Sequence, residues 1–387
     1  DVYHTIQDIL ILRDPKDNNN YYILHKPFQR DDSLFVNNML YSYVEFSDLH
    51  KKGNVRPKNE VVFDSIQILA NYLTAIRHEN QNDWWIIQPI AHTNNYMKLL
   101  LDQDGISIHD IQSIGPKFHW NASAGGTAKF SPDGTKYAYF NVNDNLLYYD
   151  FDRATGQLSN LQEVLIPYED QHFSSVEFSP NSRFLYISNI LSLWQEDTHE
   201  ADISDGRQKI AEWNELLDPF PTTFHMMALA PDCKIYMCSS SSTHTYHVIH
   251  NPNEKGAACD FVQQGIQLPF YSSTVSMPNF PRFRVDDDEK CDPTIGSVFG
   301  EAVFYRRELE TFPNPFAEIL NVALPDNLSG HLFVFDIQGQ LVWQSSDIYH
   351  GTIDLNLSIL ESGPYVIEFL PENNKDRLVF SSQVVKI

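Results

Sequence analysis

Short apolar stretches alternate with polar turns along almost the whole chain, and the turns recur in a recognisable form. Phe130-Ser131-Pro132-Asp133-Gly134 runs directly into KYAYF, and 48 residues later Phe178-Ser179-Pro180-Asn181-Ser182 runs into RFLYIS. A further 51 residues on, Leu229-Ala230-Pro231-Asp232-Cys233 runs into KIYMC. Each unit reads as strand, tight turn, strand: Pro and Asp set the turn, and Gly or Asn tolerates its left-handed position. Weaker copies lie at Asp8–Leu24 and Leu73–Ile87, and a late one begins at Thr274-Val275-Ser276-Met277. Only Gln208–Leu217 carries a helix-like pattern, as a short insertion.

A period near 50 residues with about four strands per unit predicts a β-propeller, because each unit can bury its faces only against its neighbours. Six units are recognisable, so the expected ring has six to seven blades over residues 1–285, with one blade missing or built from both ends of the sequence. Residues 286–311, opening on DDDEKCDP, read as a linker. From 312 to 387 the pattern becomes seven short alternating strands, which predicts a small immunoglobulin-like antiparallel sandwich.

Composition narrows the setting. A chain of 387 residues suits two domains, and no apolar run approaches the roughly 18 residues of a spanning helix. The net charge of −24, from 27 basic and 51 acidic residues, excludes a phosphate-tracking nucleic-acid binder and electrostatic docking on anionic lipid. Acidity keeps such a chain soluble, and could attract divalent cations. The four cysteines, Cys233, Cys238, Cys259 and Cys291, permit two disulfides. Cys233 and Cys238 flank one strand whose length sets them about 16 Å apart, too far to bridge. Of the three possible pairings none is fixed by spacing, and Cys259 with Cys291 is the preferred pair, against four buried free thiols.

The last part of the chain carries motifs with a family resemblance. Phe312-Pro313-Asn314-Pro315, the hairpin Phe333–Val342 with Asp336 and Gly339, Leu360–Val366 with Gly363 and Tyr365, and Val384-Val385-Lys386-Ile387 occur in this order. Together they resemble the type A C-terminal sorting domains of type IX secretion. The two prolines suit an extended lead-in that no central strand admits, and the two glycines suit turns. The resemblance implies export as cargo across the inner membrane and then to the outer surface or the medium. Its implied partners are the translocon and its shuttle proteins, with tail removal or replacement by a surface-lipopolysaccharide anchor. Asp1 is not preceded by a basic-then-apolar leader, so the expectation is that the sequence starts after processing or further in. Residues 8–292 resemble a secreted propeller of Bacteroidota, through LTAIRHENQNDWWII, KFSPDGTKYAYF, VEFSPNSRFLYIS, LAPDCKIYM and MPNFPRF. More distantly they resemble WD40-type and lactonase-like rings. Ser182 and Cys233 stand where the pattern has Gly, which leaves the turn type there open.

Candidate chemistry is sparse. His244, His247 and His250 alternate along one strand, so they cannot converge on one ion. Arg77, His78 and His92 lie near the WWII segment, and Arg77 is expected toward the ring axis. Lactonase-like rings hold a metal there with acidic residues. Glu177 is the best analogue on an inner strand, but Lys129 and Met227 occupy the matching positions elsewhere. No cofactor is expected, apart from a calcium ion in the channel or in the Asp286–Glu289 run. Trp84 and Trp85 read as core rather than a sugar-stacking surface. Asp32-Ser33-Leu34 and Asp64-Ser65-Ile66 resemble bacterial O-glycosylation sites at Ser33 and Ser65. Nucleophile elbows, zinc-protease helices and P-loops are absent from the sequence. The leading expectation is a secreted or surface propeller that binds a protein or glycan. A channel-centred lactonase or hydrolase and a structural matrix subunit are the alternatives.

Overall fold

A computed structural model describes all residues except 1–6, 28, 31–33, 48–49, 119–124, 168–172, 219, 273–275, 283–284, 286–290, 292–304, 326–327, 337–340, 346 and 373–377. It divides into two compact units, Asp1–Ile295 and Gly296–Ile387. Helix is confined to two short 3-10 turns among the described residues, and the Gln208–Leu217 segment contributes a strand, Gln208–Glu212, rather than a helix. Ile210 and Ala211, its two apolar residues, are both half-buried and pack on the apolar core around Phe224.

The first unit contains five sheets of four or five antiparallel strands, here blades 1 to 5. Blade 1 comprises Ile9–Arg13, Tyr21–His25, Met39–Ser47, His50–Val55 and Glu60–Phe63. Blade 2 comprises Thr74–Arg77, Trp84–Pro89, Asn95–Asp102 and Gly105–Ser113. Blade 3 comprises Thr127–Phe130, Lys136–Asn141, Asn145–Asp152 and Gln157–Val164. Blade 4 comprises Ser175–Phe178, Phe184–Ser188, Ser192–Asp197 and Gln208–Glu212. Blade 5 comprises Met227–Leu229, Ile235–Met237, Thr243–Ile249 and Phe261–Ser272. In blades 2 to 5 the strands pair in sequence order, the propeller grammar read from the repeats. Five such blades lie among the described residues, against six to seven expected for the whole ring. Of the late unit, the described part, Ser276–Phe280, carries no strand.

The three strongest repeats share one turn despite their differing residues. Gly134, Ser182 and Cys233 all have positive φ, at 75°, 65° and 66°. Their N–H groups donate to Ser131, Ser179 and Ala230 carbonyls three residues back. The turn itself accepts a side chain, as Ser182 and Cys233 show, whereas at Gly134 a Cβ would press on Arg153 and Val285, so the glycine is needed there by its neighbours as well as by its φ. Blades join through hydroxyls on the inner strands. Thr127 Oγ1 accepts from Val176 N at 2.9 Å, and Ser175 Oγ accepts from Met227 N at 3.1 Å. Large buried side chains fill the space between blades, with Trp84, Ile86 and Met97 set against Leu10 and Leu12, and Tyr96, Tyr137 and Tyr149 against Phe130.

The second unit holds a six-stranded and a three-stranded sheet around one apolar core that includes Phe316, Leu320, Val334, Leu355, Ile367 and Val384. Seven strands lie among the described residues from Ile319 to Lys386, and Tyr305–Glu308, which pairs in parallel with Leu378–Lys386, and Glu310–Phe312 come before them, within the stretch expected as a linker.

Candidate functional site

The inner strands bring Glu177 to the centre of the first unit, as its position predicted. Its carboxylate, only 1% exposed, is held by Lys129 Nζ at 3.4 Å and by the Arg282 guanidinium. Oε1 also accepts from Phe178 N at 3.0 Å and Oε2 from Leu229 N at 3.2 Å. Burial pushes the Glu177 pKa up, but Arg282, Lys129 and the two backbone donors outweigh it and hold the carboxyl below its usual range. Burial also lowers the Lys129 pKa, with Glu177 opposing. Every strong acceptor direction on Glu177 is taken, so no lone pair is left for a divalent cation. A ligand set of three or more His, Cys, Asp or Glu is absent among the described residues.

Arg282 comes from a segment that the repeats had suggested as another blade. Met277 N reaches Met226, and Asn279 Nδ2 donates to Ile9 O at 3.1 Å and Leu73 O at 2.8 Å. Arg282 N donates to Ala75 O while its side chain donates to Phe130 O at 2.8 Å. This strap touches the inner strands of blades 1, 2, 3 and 4 and leaves from blade 5. Gln7 completes the fill, pairing both backbone groups of Ala128 and reaching Asn279. A second buried ion pair, Lys26 with Asp8 at 2.7 Å, is saturated by the Leu69 and Asn71 carbonyls and by Gln88.

Other sequence candidates fall elsewhere. Arg77 does not enter the axis: its guanidinium stacks 4.0 Å over Trp84 and caps the Asn82 carbonyl, because the residue closing an edge hairpin points to the turn. Trp84 and Trp85 are both buried and donate to Arg13 O and Arg153 O, as core tryptophans should. His78 stacks on Trp85, and His92 is an exposed turn residue with φ of 60°. His247 is buried against Phe224 and Phe261, while His244 bonds Asp218 at 2.9 Å on the other side of the strand. The three histidines do not meet.

The preferred disulfide is corrected. Cys291 bonds Cys233, with Cα atoms 5.1 Å apart, and Cys238 and Cys259 are buried free thiols. Cys259 ends a 3-10 turn packed inside the blade 4–blade 5 core, whereas Cys233 sits in the outward turn that the returning strap can reach. Spacing in the sequence cannot separate these, since the pairing depends on where the strap returns. Ser65 is exposed at φ of 61°; Ser33 and Asp286–Glu289 lie outside the described residues.

One buried acid had no sequence signal. Glu196, with its side chain fully buried, pairs with Arg207 at 2.6 Å. Burial raises its pKa to about 7, opposed by Arg207. The native state therefore holds this proton where the unfolded chain has lost it, so stability falls as pH rises from about 4.5 to about 7. Glu196→Gln is expected to remove up to about 2–3 kcal/mol of that slope. Urea titrations at pH 5 and pH 8 check this; an unchanged difference between the two counts against it.

In the second unit the sequence landmarks converge. Asn314 Nδ2 donates to Gln383 O at 2.7 Å, and its Oδ1 accepts from Val385 N at 2.9 Å. Phe316 pairs with Lys386, Lys386 with Gly363, and Tyr365 with both Val384 and Asp336. Tyr365 Oη donates to Glu361 O at 2.9 Å. Asn314 thus clamps the final strand, and Phe312, Pro313, Pro315, Val385 and Ile387 stay exposed around it. Gly339 lies outside the described residues.

No curated protein matches the chain. Among solved structures it is similar to a putative 6-phosphogluconolactonase from Bacteroides uniformis, at 10% identity and a TM-score of 0.39, covering 68% of this chain and 85% of that one. It is similar also to a periplasmic gluconolactonase of Pseudomonas aeruginosa, at 12% identity and 0.42, covering 92% and 90%. A third is Sqt1 from Chaetomium thermophilum, at 11% identity and 0.40, covering 95% and 82%. Residues 310–381 match the family model of the secretion system C-terminal sorting domain, so the chain carries a type IX sorting tail that marks it for export and for release or attachment at the cell surface.

Proposed function

We propose that this exported chain is a binding protein that presents the loop ends of its blades to a protein or glycan ligand, and that it does not act as a catalyst in its axis. The observation behind this reading is the saturated Glu177 carboxylate, held by Lys129, Arg282 and two backbone donors. A lactonase site in the axis needs an acidic group free to hold a cation or move a proton, and this one has no free acceptor.

The loop joining blades 4 and 5 is the surface this reading selects. Leu216, Leu217 and Phe220 are exposed on a loop tied by Thr222 N to Leu216 O and by Asp218 to His244. Apolar side chains on a preorganised loop contribute affinity with little ordering cost. Arrays of glycans and extracellular-matrix proteins, probed with the purified chain, test the reading. Binding is expected, with at least a tenfold loss in the double variant Leu217→Asp, Phe220→Asp. No binding, or equal binding by the variant, counts against it. A separate experiment addresses the route: removing residues 310–387 is expected to leave the protein in the periplasm of a type IX-secreting host, and unchanged export would remove the tail as its address.

A further inference from the structure

The hydrogen bonds around the loop of residues 213–222 turn its amides inward. Asn214 N donates to Gln263 Oε1 at 3.1 Å, and Asn214 Nδ2 donates to Gln264 Oε1 at 3.0 Å. Asn214 Oδ1 accepts from Leu216 N at 3.3 Å, Gln263 Nε2 donates to Glu212 O at 2.8 Å, and Gln264 Nε2 donates to Thr222 Oγ1 at 2.8 Å. Thr222 Oγ1 in turn donates to Leu216 O at 2.9 Å and accepts from Trp213 Nε1 at 3.3 Å. This frame grips the loop at both ends and leaves Leu216, Leu217 and Phe220 outward, 44%, 60% and 54% exposed. From position 212 to 220 the sequence has three carboxylates and no Lys or Arg. Glu212 pairs with Lys209 and Asp218 with His244, while Glu215 is exposed and forms no ion pair among the described residues. Outward, the loop therefore presents apolar side chains beside negative charge.

We propose that the partner of this loop is a cationic protein segment with apolar side chains, rather than a glycan; this rests on the reading of the loop as the binding surface. A sugar carries a hydroxyl on most of its carbons, and each one pressed onto Leu216 or Leu217 without a partner loses its water at a cost. The amides that would replace that water, on Asn214, Gln263 and Gln264, already bond one another and the loop. Apolar side chains of a peptide carry no such cost, and their burial is favourable. Charge gives the sign. With a net charge of −24 the chain attracts a cationic segment from a distance, and Glu215 and Asp218 meet it at the rim of the contact. A neutral glycan gains nothing from that field. An anionic glycan is repelled by it, and so is a second copy of the chain, which would also set the same carboxylates against their own kind.

Fluorescence anisotropy with the full chain and three short labelled peptides tests the proposal. One peptide is made of Lys, Arg, Leu and Phe; the second has Glu in place of Lys and Arg, and the third has Ser in place of Leu and Phe. The first is expected to bind at least tenfold tighter than either of the others. Leu217→Asp with Phe220→Asp should weaken it at least tenfold although the pair adds negative charge, whereas attraction by overall charge alone would tighten it. Glu215→Lys should weaken binding about threefold and flatten its salt dependence. All three positions are exposed, so the variants should melt like the parent, and an unchanged melt assigns the loss to the surface. A basic peptide that binds the double variant as well as the parent overturns the proposal, as does an acidic or Ser-containing peptide that binds as tightly. Loop-dependent binding on the glycan arrays, with the basic peptide unbound, overturns it while the loop stands as the binding surface. If no probe needs the loop, that reading falls with it.

Discussion

Replacing Glu177 by leucine is expected to lower the unfolding free energy by about 3–5 kcal/mol, the usual cost of breaking a buried ion pair from one side. Lys129 and the Arg282 guanidinium would then lie in the interior with no counter-charge, and Leu229 N would lose its acceptor. Glu177→Gln should cost less, because it preserves shape and some hydrogen bonding. Urea titration distinguishes the two; a leucine variant within about 1 kcal/mol of the parent would show that the cluster contributes little. The pH dependence follows in sign. The folded carboxyl is held below its usual range, so its contribution is present above the unfolded pKa and lost as pH falls through the folded one. The parent should therefore lose more stability than Glu177→Gln on going from pH 6 to pH 3.

Opening the Cys233–Cys291 disulfide, by reduction or by Cys233→Ser with Cys291→Ser, is expected to cost about 4 kcal/mol. The bond closes a loop of 58 residues, for which chain entropy gives that figure. The loop contains most of blade 5 and the whole Met277–Arg282 strap, so its loss releases both from one covalent frame. The same pairing sets thiol reactivity. Cys238 and Cys259 are buried, and burial raises the pKa of both, that of Cys238 to about 12. Neither should react in the native protein, and two thiols should appear on unfolding. A peptide map linking Cys259 to Cys291 would overturn the assignment. Exported proteins meet an oxidising compartment, where such a bond persists.

Much of the fold was legible because the signals are local. Pro132, Asp133 and Gly134 make a turn by their own conformational preferences, and the same grammar at Asn181-Ser182 and Asp232-Cys233 marks the next two blades. The tail was legible for a similar reason: its landmarks sit at fixed places along strands, and pairing then gathers Asn314, Asp336, Tyr365 and Lys386. Glu177 could be placed on an inner strand from its position in the repeat. Its partner Arg282 could not, since it lies 105 residues away in a segment with no strand. Glu196 gave no warning either: it and Asp197 are both buried, and nothing in Trp194-Gln195-Glu196-Asp197 says which of the two has its pKa raised.

Taken alone, the order of residues determined an all-β chain, a repeat near 50 residues and an address for export. These follow from alternation, turn chemistry and short motifs, each contained within a few neighbouring residues. The tertiary structure decided the number of blades described, the partner of Cys291, the occupancy of the axis and the frame that Gln263 and Gln264 give the loop joining blades 4 and 5. All four depend on where distant segments return, and a pattern with a period of two residues carries no record of that.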